Sequence, residues 1–113
     1  MESRLIFESD KTYQLNVEWL KEHTSDSEWK YLNSENLDQQ IIFKIINEFI
    51  TTENLFLVIN REKSNEIHKS NFMEEFINLY GKIDFKIWDK NFVNVIEFNK
   101  EVYRQGINTT RKH

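Results

Sequence analysis

The chain of 113 residues contains no cysteine, no proline and two glycines, where average usage would give about eight glycines and six prolines. Without cysteine there is no disulfide, no thiolate nucleophile and no Cys-based zinc site. The glycine shortage excludes a Gly-rich loop that could cradle a phosphate. Long apolar runs are also missing. The richest, 41–50, is interrupted by Lys44, Asn47 and Glu48 and is too short to span a bilayer. The start, MESRLIFESD, lacks a basic region followed by an apolar stretch, so no secretory signal is read. The expectation is a cytoplasmic protein without membrane contact.

Hydrophobic residues make up 39% of the chain and aromatics 14%, including nine Phe and three Trp. That is too apolar for a disordered chain and enough for a core. One domain over 1–113 is expected, with 105–113 as a frayed basic tail. Charge is uneven. Residues 1–55 carry eleven acids and five bases, whereas 56–113 carry eight acids and ten bases. An acidic half with four arginines in the whole chain argues against nucleic acid as ligand and suits a basic protein partner.

Hydrophobic periodicity assigns the elements. Ile41, Ile42, Ile45, Ile46, Phe49 and Ile50 form adjacent i, i+4 ridges, predicting a helix over 37–51. The run LFLVIN at 55–60 reads as a buried central strand. Phe72, Met73, Phe76, Ile77 and Tyr80 stripe a second helix, opened by an Asn71–Glu74 pair and closed by Gly81. Ser25 and Glu28 have capping-box spacing, predicting a short helix through Trp29 to Leu32. The N-terminal stretch is ambiguous, since Tyr13, Leu15, Val17 and Trp19 alternate while Asn16 could cap a helix. A strand pair at 4–8 and 12–16 running into a short helix is preferred. The resulting order is β-β-α-α-β-α-β-β, an α+β domain with a mainly antiparallel sheet and helices on one face. Ile42, Ile45, Ile46, Phe49, Leu57, Ile59, Phe76, Phe85 and Ile96 should share one core.

Residues 83–99 read as a hairpin. A loop of even length pairs Ile83 with Phe98 and Phe85 with Ile96, making one face apolar. Trp88, Val93 and Val95 then cluster on the opposite face and need a cover. Three are available: the N-terminal residues 1–20, a second copy of the chain, or a foreign partner. The first is preferred, because Leu5, Phe7, Tyr13 and Trp19 also need burial. If the face is open instead, Trp88, Val93 and Val95 become a secondary partner-binding surface.

Candidate chemistry is sparse. His68 in NEIHKS has no metal-ligand spacing and reads as a solvated helix-end residue. His113 is terminal, and Glu74-Glu75 reads as a first-turn charge on a helix rather than a carboxylate pair. Basic and aromatic residues alternate in KIDFKIWDKNF, but Asp84 and Asp89 oppose a nucleic-acid reading. No catalytic residue, metal site or cofactor is assigned, and the expectation is a protein that is not an enzyme.

The segment 22–38 is more informative. It holds Glu22, Asp26, Glu28, Glu35 and Asp38 beside Trp29 and Tyr31, combining steering charge with aromatic residues favoured at interface hot spots. These seven are the candidate partner-binding residues. The plainer reading is that Trp29 and Leu32 pin a connector to the core. In size, acidic balance, lack of cysteine and of catalytic motif, and Ile/Asn/Lys-rich composition, the chain resembles the small immunity proteins of bacterial polymorphic toxin systems, including those of contact-dependent growth inhibition. The resemblance is of whole-chain character and transfers no site residue. It implies a cytoplasmic protein that binds a cognate toxin domain, often a nuclease, and occludes its active site. The alternative is a small structural or adaptor subunit that forms a homodimer through the 83–99 hairpin.

Overall fold

The computed structural model describes residues 1–21, 27–31 and 39–111, apart from the side chain of Gln39. The described elements run α1 (Ser3–Tyr13), a 3-10 turn (Gln14–Asn16), β1 (Val17–Trp19), β2 (Lys30–Tyr31), α2 (Gln39–Phe49), β3 (Asn54–Val58), β4 (Asn65–His68), α3 (Lys69–Leu79), β5 (Phe85–Asp89), β6 (Asn94–Asn99) and β7 (Val102–Asn108). The sheet order is β1-β7-β6-β5-β3-β4, and β2 also pairs with β7. Every pairing is antiparallel. The protein is therefore an α+β domain on an antiparallel sheet, as its periodicity predicts.

On one face, Ile42, Ile46 and Ile50 recur every fourth residue and are buried with Phe72, Phe76 and Leu79. They pack on Leu55, Leu57, Phe85, Ile87, Ile96 and Phe98 from the sheet, with Ile45, Phe49 and Ile59 partly buried at the margin. Helix α3 starts earlier than the Asn71–Glu74 pair suggests. His68 is its cap, its Nδ1 accepting the Ser70 amide at 3.2 Å. Beyond the helix end, Gly81 takes φ +78°, a left-handed position that glycine adopts without strain.

Helix α1 corrects two expectations: residues 4–8 and 12–16 are not a strand pair, and not all helices share one face. The stripe that α1 turns inward is Ile6, Asp10 and Tyr13, with a carboxylate at its centre, which conceals the helical period. Asp10 is 4% exposed. It accepts from Trp88 Nε1 at 2.9 Å and from Lys86 Nζ at 3.0 Å. Around this bond α1 buries Ile6 against Phe56, Val58, Trp88, Phe92 and Val95, with Phe7, Tyr13, Val17 and Trp19 packed alongside. The N-terminal residues thus cover Trp88, while Leu5 stays 52% exposed.

The hairpin keeps the predicted parity, but its register moves by two residues. Phe85 pairs with Phe98, Ile87 with Ile96 and Trp88 with Val95. The buried Asp89 carboxylate organises the displaced turn, Oδ1 accepting from the amides of Asn91 and Val93 and Oδ2 from that of Asn94. Phe92 sits at φ +54° in this turn. Its ring stacks on Phe56 at 4.8 Å between centroids, on the α1 side.

Two further expectations give way at the other end of the sheet. Residues 105–108 are not a frayed tail, because β7 pairs with β6, β1 and β2. Asn108 is fully buried and its Nδ2 donates to the Phe92 carbonyl at 2.9 Å. Polar members such as Arg104, Gln105 and Asn108 conceal this strand in the sequence. Nor do residues 29–31 form a helix. Lys30 pairs with Tyr103 and Tyr31 with Val102, so the edge of β7 overrides the local capping signal.

Candidate protein-binding face

Directly paired residues in a sheet point to the same side, so the register places Trp19 beside Gly106 and Glu97 beside Arg104 on the face that α1 occupies. Gly106 makes the close approach possible. A Cβ there would lie 2.4 Å from Val17 Cγ1 and 2.8 Å from Trp19 Cε3. Trp19 can therefore lie across β7 and reach Arg104.

Arg104 is the centre of the constellation. Its guanidinium carbon lies 3.7 Å from the Trp19 ring centroid and 4.5 Å from that of Trp29. Its Nε donates to Glu97 Oε1 at 2.6 Å and its Nη1 to Glu28 Oε1 at 2.5 Å. A planar cation can stack and form directed hydrogen bonds at once, which an ammonium cannot. Cation–π contacts of this kind contribute about 0.5–2 kcal/mol depending on desolvation. Nearby, Tyr31 donates its hydroxyl to Glu101 Oε2 at 2.6 Å and is 71% exposed. The Tyr80 hydroxyl donates to the Glu101 carbonyl at 3.3 Å. Burial first, then the Glu101 carboxylate, pushes the Tyr80 pKa above the ordinary phenol value, so it remains a neutral donor.

A groove of about 180 Å³ opens next to this stack, lined by Phe7, Asp10, Asp84, Lys86, Glu97 and Asn99 among others. Lys86 is held by Asp10 and by Gln14 Oε1 at 2.6 Å. Glu97 borders both the groove and the arginine stack, which makes them one surface. On it the carboxylates of Asp10, Glu28 and Glu97 are paired with Lys86 and Arg104, and Asp84 is exposed. Among the described residues, no group of three or more His, Cys, Asp or Glu is placed to hold a metal ion. Also among them, no helix is long and apolar enough to cross a membrane.

The candidate residues from the sequence divide three ways. Glu28 and Trp29 converge on Arg104, so part of their charge and ring surface is used within the fold. Tyr31 points its ring outward on the same edge. Glu22, Asp26, Glu35 and Asp38 lie outside the described residues. The secondary surface is corrected: Trp88 and Val95 are fully buried beneath α1, and Val93 is half-buried at the end of the turn. Both edges of the hairpin are taken, by β3 and by β7, so it offers no edge for self-pairing. Sequence reasoning missed Trp19, Asp84, Glu97, Glu101 and Arg104. Arg104 lies on a strand whose polar members hide it in the sequence, and the alternation through Trp19 was the one legible signal.

No family model matches the chain, and no curated protein or solved structure matches it.

Proposed function

We propose that this protein is a non-catalytic binder that neutralises a cognate basic toxin domain by occluding its active site. The observation that carries the reading is the convergence of Trp19, Trp29, Glu28 and Glu97 on Arg104, with the exposed Tyr31 on the same sheet edge. Trp, Tyr and Arg are the residue types that dominate interface energetics, and surrounding acids accelerate encounter with a basic partner. Glu22, Asp26, Glu35 and Asp38 flank β2 in sequence and add charge to the same connector. Against a nuclease, these carboxylates would occupy the basic groove that holds the phosphate backbone of its substrate. A partner of this kind is met in the cytoplasm, and the binder needs no cofactor.

The test is binding of the purified chain to a basic toxin domain. Asp26→Lys combined with Asp38→Lys should weaken binding mainly through a slower on-rate, with an effect that shrinks as salt rises, while the fold is retained. Tyr31→Ala should cost about thirtyfold or more in affinity, as a hot-spot truncation does. Dissociation constants unchanged in both variants would move the interface elsewhere.

A further inference from the structure

We propose that Arg104 is a latch that fastens the 27–31 segment to the sheet edge, and that this latch opens independently of the sheet. The two halves of the contact differ in how they are held. Arg104, Glu97 and Trp19 stand on β7, β6 and β1, strands joined to one another by the ladder. Glu28 and Trp29 precede β2, a strand of two residues, and among the described residues Trp29 belongs to neither apolar cluster. Both side chains end on Arg104, one as an ion pair and one as a ring face. The side chains of the pair are 20% and 30% exposed, so dissolved ions can compete for it. Lys30 and Tyr31 add the short pairing with β7 and side-chain hydrogen bonds to Gln105 and Glu101. Trp88 is the internal contrast, fully buried with its indole nitrogen fixed on Asp10. Closing the latch presents Tyr31 in one place and so preorganises the face. That last consequence rests on the proposed function, whereas the latch itself does not.

The three indole N–H signals and the backbone amides of the whole chain provide the test, by NMR and hydrogen exchange. In Arg104→Ala the Trp19 and Trp29 indole signals should move while that of Trp88 stays. Exchange of the Lys30 amide, opposite Tyr103, should rise about tenfold or more with β3 and β5 unchanged. Arg104→Lys should fall between, because it keeps the charge but loses the planar stack. Raising the sodium chloride concentration should move the native protein toward the Arg104→Ala spectrum. Glu28→Gln combined with Trp29→Leu removes only the segment's side of the contact and should reproduce the selective opening even if Arg104→Ala does not fold. Unchanged Lys30 exchange overturns the latch, and so does acceleration of β3 and β5 in parallel, since the segment would then open only with the sheet. In the binding assay, Arg104→Ala should weaken association with the toxin domain. Full affinity with an open latch removes the preorganising role. Failure of the native protein to bind removes the proposed function alone, with the exchange data still deciding the latch.

Discussion

Among the described residues, fourteen buried hydrophobic residues close the sheet beneath α2 and α3, whereas beneath α1 six surround a buried carboxylate. The first face is held by shape and area. The second is held partly by directed bonds: Asp10 to Trp88 and Lys86 under the helix, and Arg104 to Glu97 and Glu28 beyond it. Apolar burial is indifferent to which neighbour supplies the area, but a buried charge demands a particular partner. The α2/α3 face therefore serves stability. On the α1 face, polar and aromatic groups remain partly accessible, and the proposed binding surface lies there.

This contrast can be broken most strongly from the apolar side. Phe76 contacts Phe72, Tyr80, Phe85 and Phe98, with centroids 5.2 to 6.2 Å away. Phe76→Ala should cost about 3–5 kcal/mol in denaturant unfolding, through lost area and the cavity left behind. A loss below about 1 kcal/mol would show that this side is not the principal core.

On the other face the expected loss has a different origin. Asp10→Ala leaves the Lys86 ammonium and the Trp88 indole without their carboxylate and should cost about 3 kcal/mol. Asp10→Asn retains an acceptor for the indole and should cost less. If the two substitutions proved equal, the hydrogen bond to Trp88 would contribute nothing and the charge alone would matter.

The smallest effect is expected at the β4 edge, where Glu66 accepts from Lys90 Nζ and Asn54 Nδ2, both at 2.7 Å. The bond from Lys90, then that from Asn54, holds the Glu66 carboxyl below its ordinary pKa of 4.5. A depressed carboxylate adds stability above the unfolded-state value, and that contribution is lost as pH falls below about 4.5. Glu66→Gln should slightly lower stability at neutral pH and flatten the acid side of the stability profile. An acid limb identical to that of the native protein would show that the bond is not maintained in solution.

Much of the α2/α3 side was legible in the sequence. The isoleucines of α2, the apolar run of β3, the Phe stripe of α3 with Gly81 beyond it, and the face parity of the hairpin all follow from local spacing. In these segments the buried residues are apolar, so periodicity records burial directly. The α1 side was not legible in the same way. Helix α1 turns Asp10 inward, β7 carries Arg104, Gly106 and Asn108 where apolar residues would announce a strand, and β2 exists only because β7 offers it an edge. These residues have roles set by groups far away in the chain: Asp10 meets Trp88 across 78 positions and Glu28 meets Arg104 across 76. Local patterning specified where the apolar layers form. Tertiary structure alone decided which charges are paired and which aromatic residues share the open face, because a polar side chain is buried or exposed according to the partner that the fold brings to it.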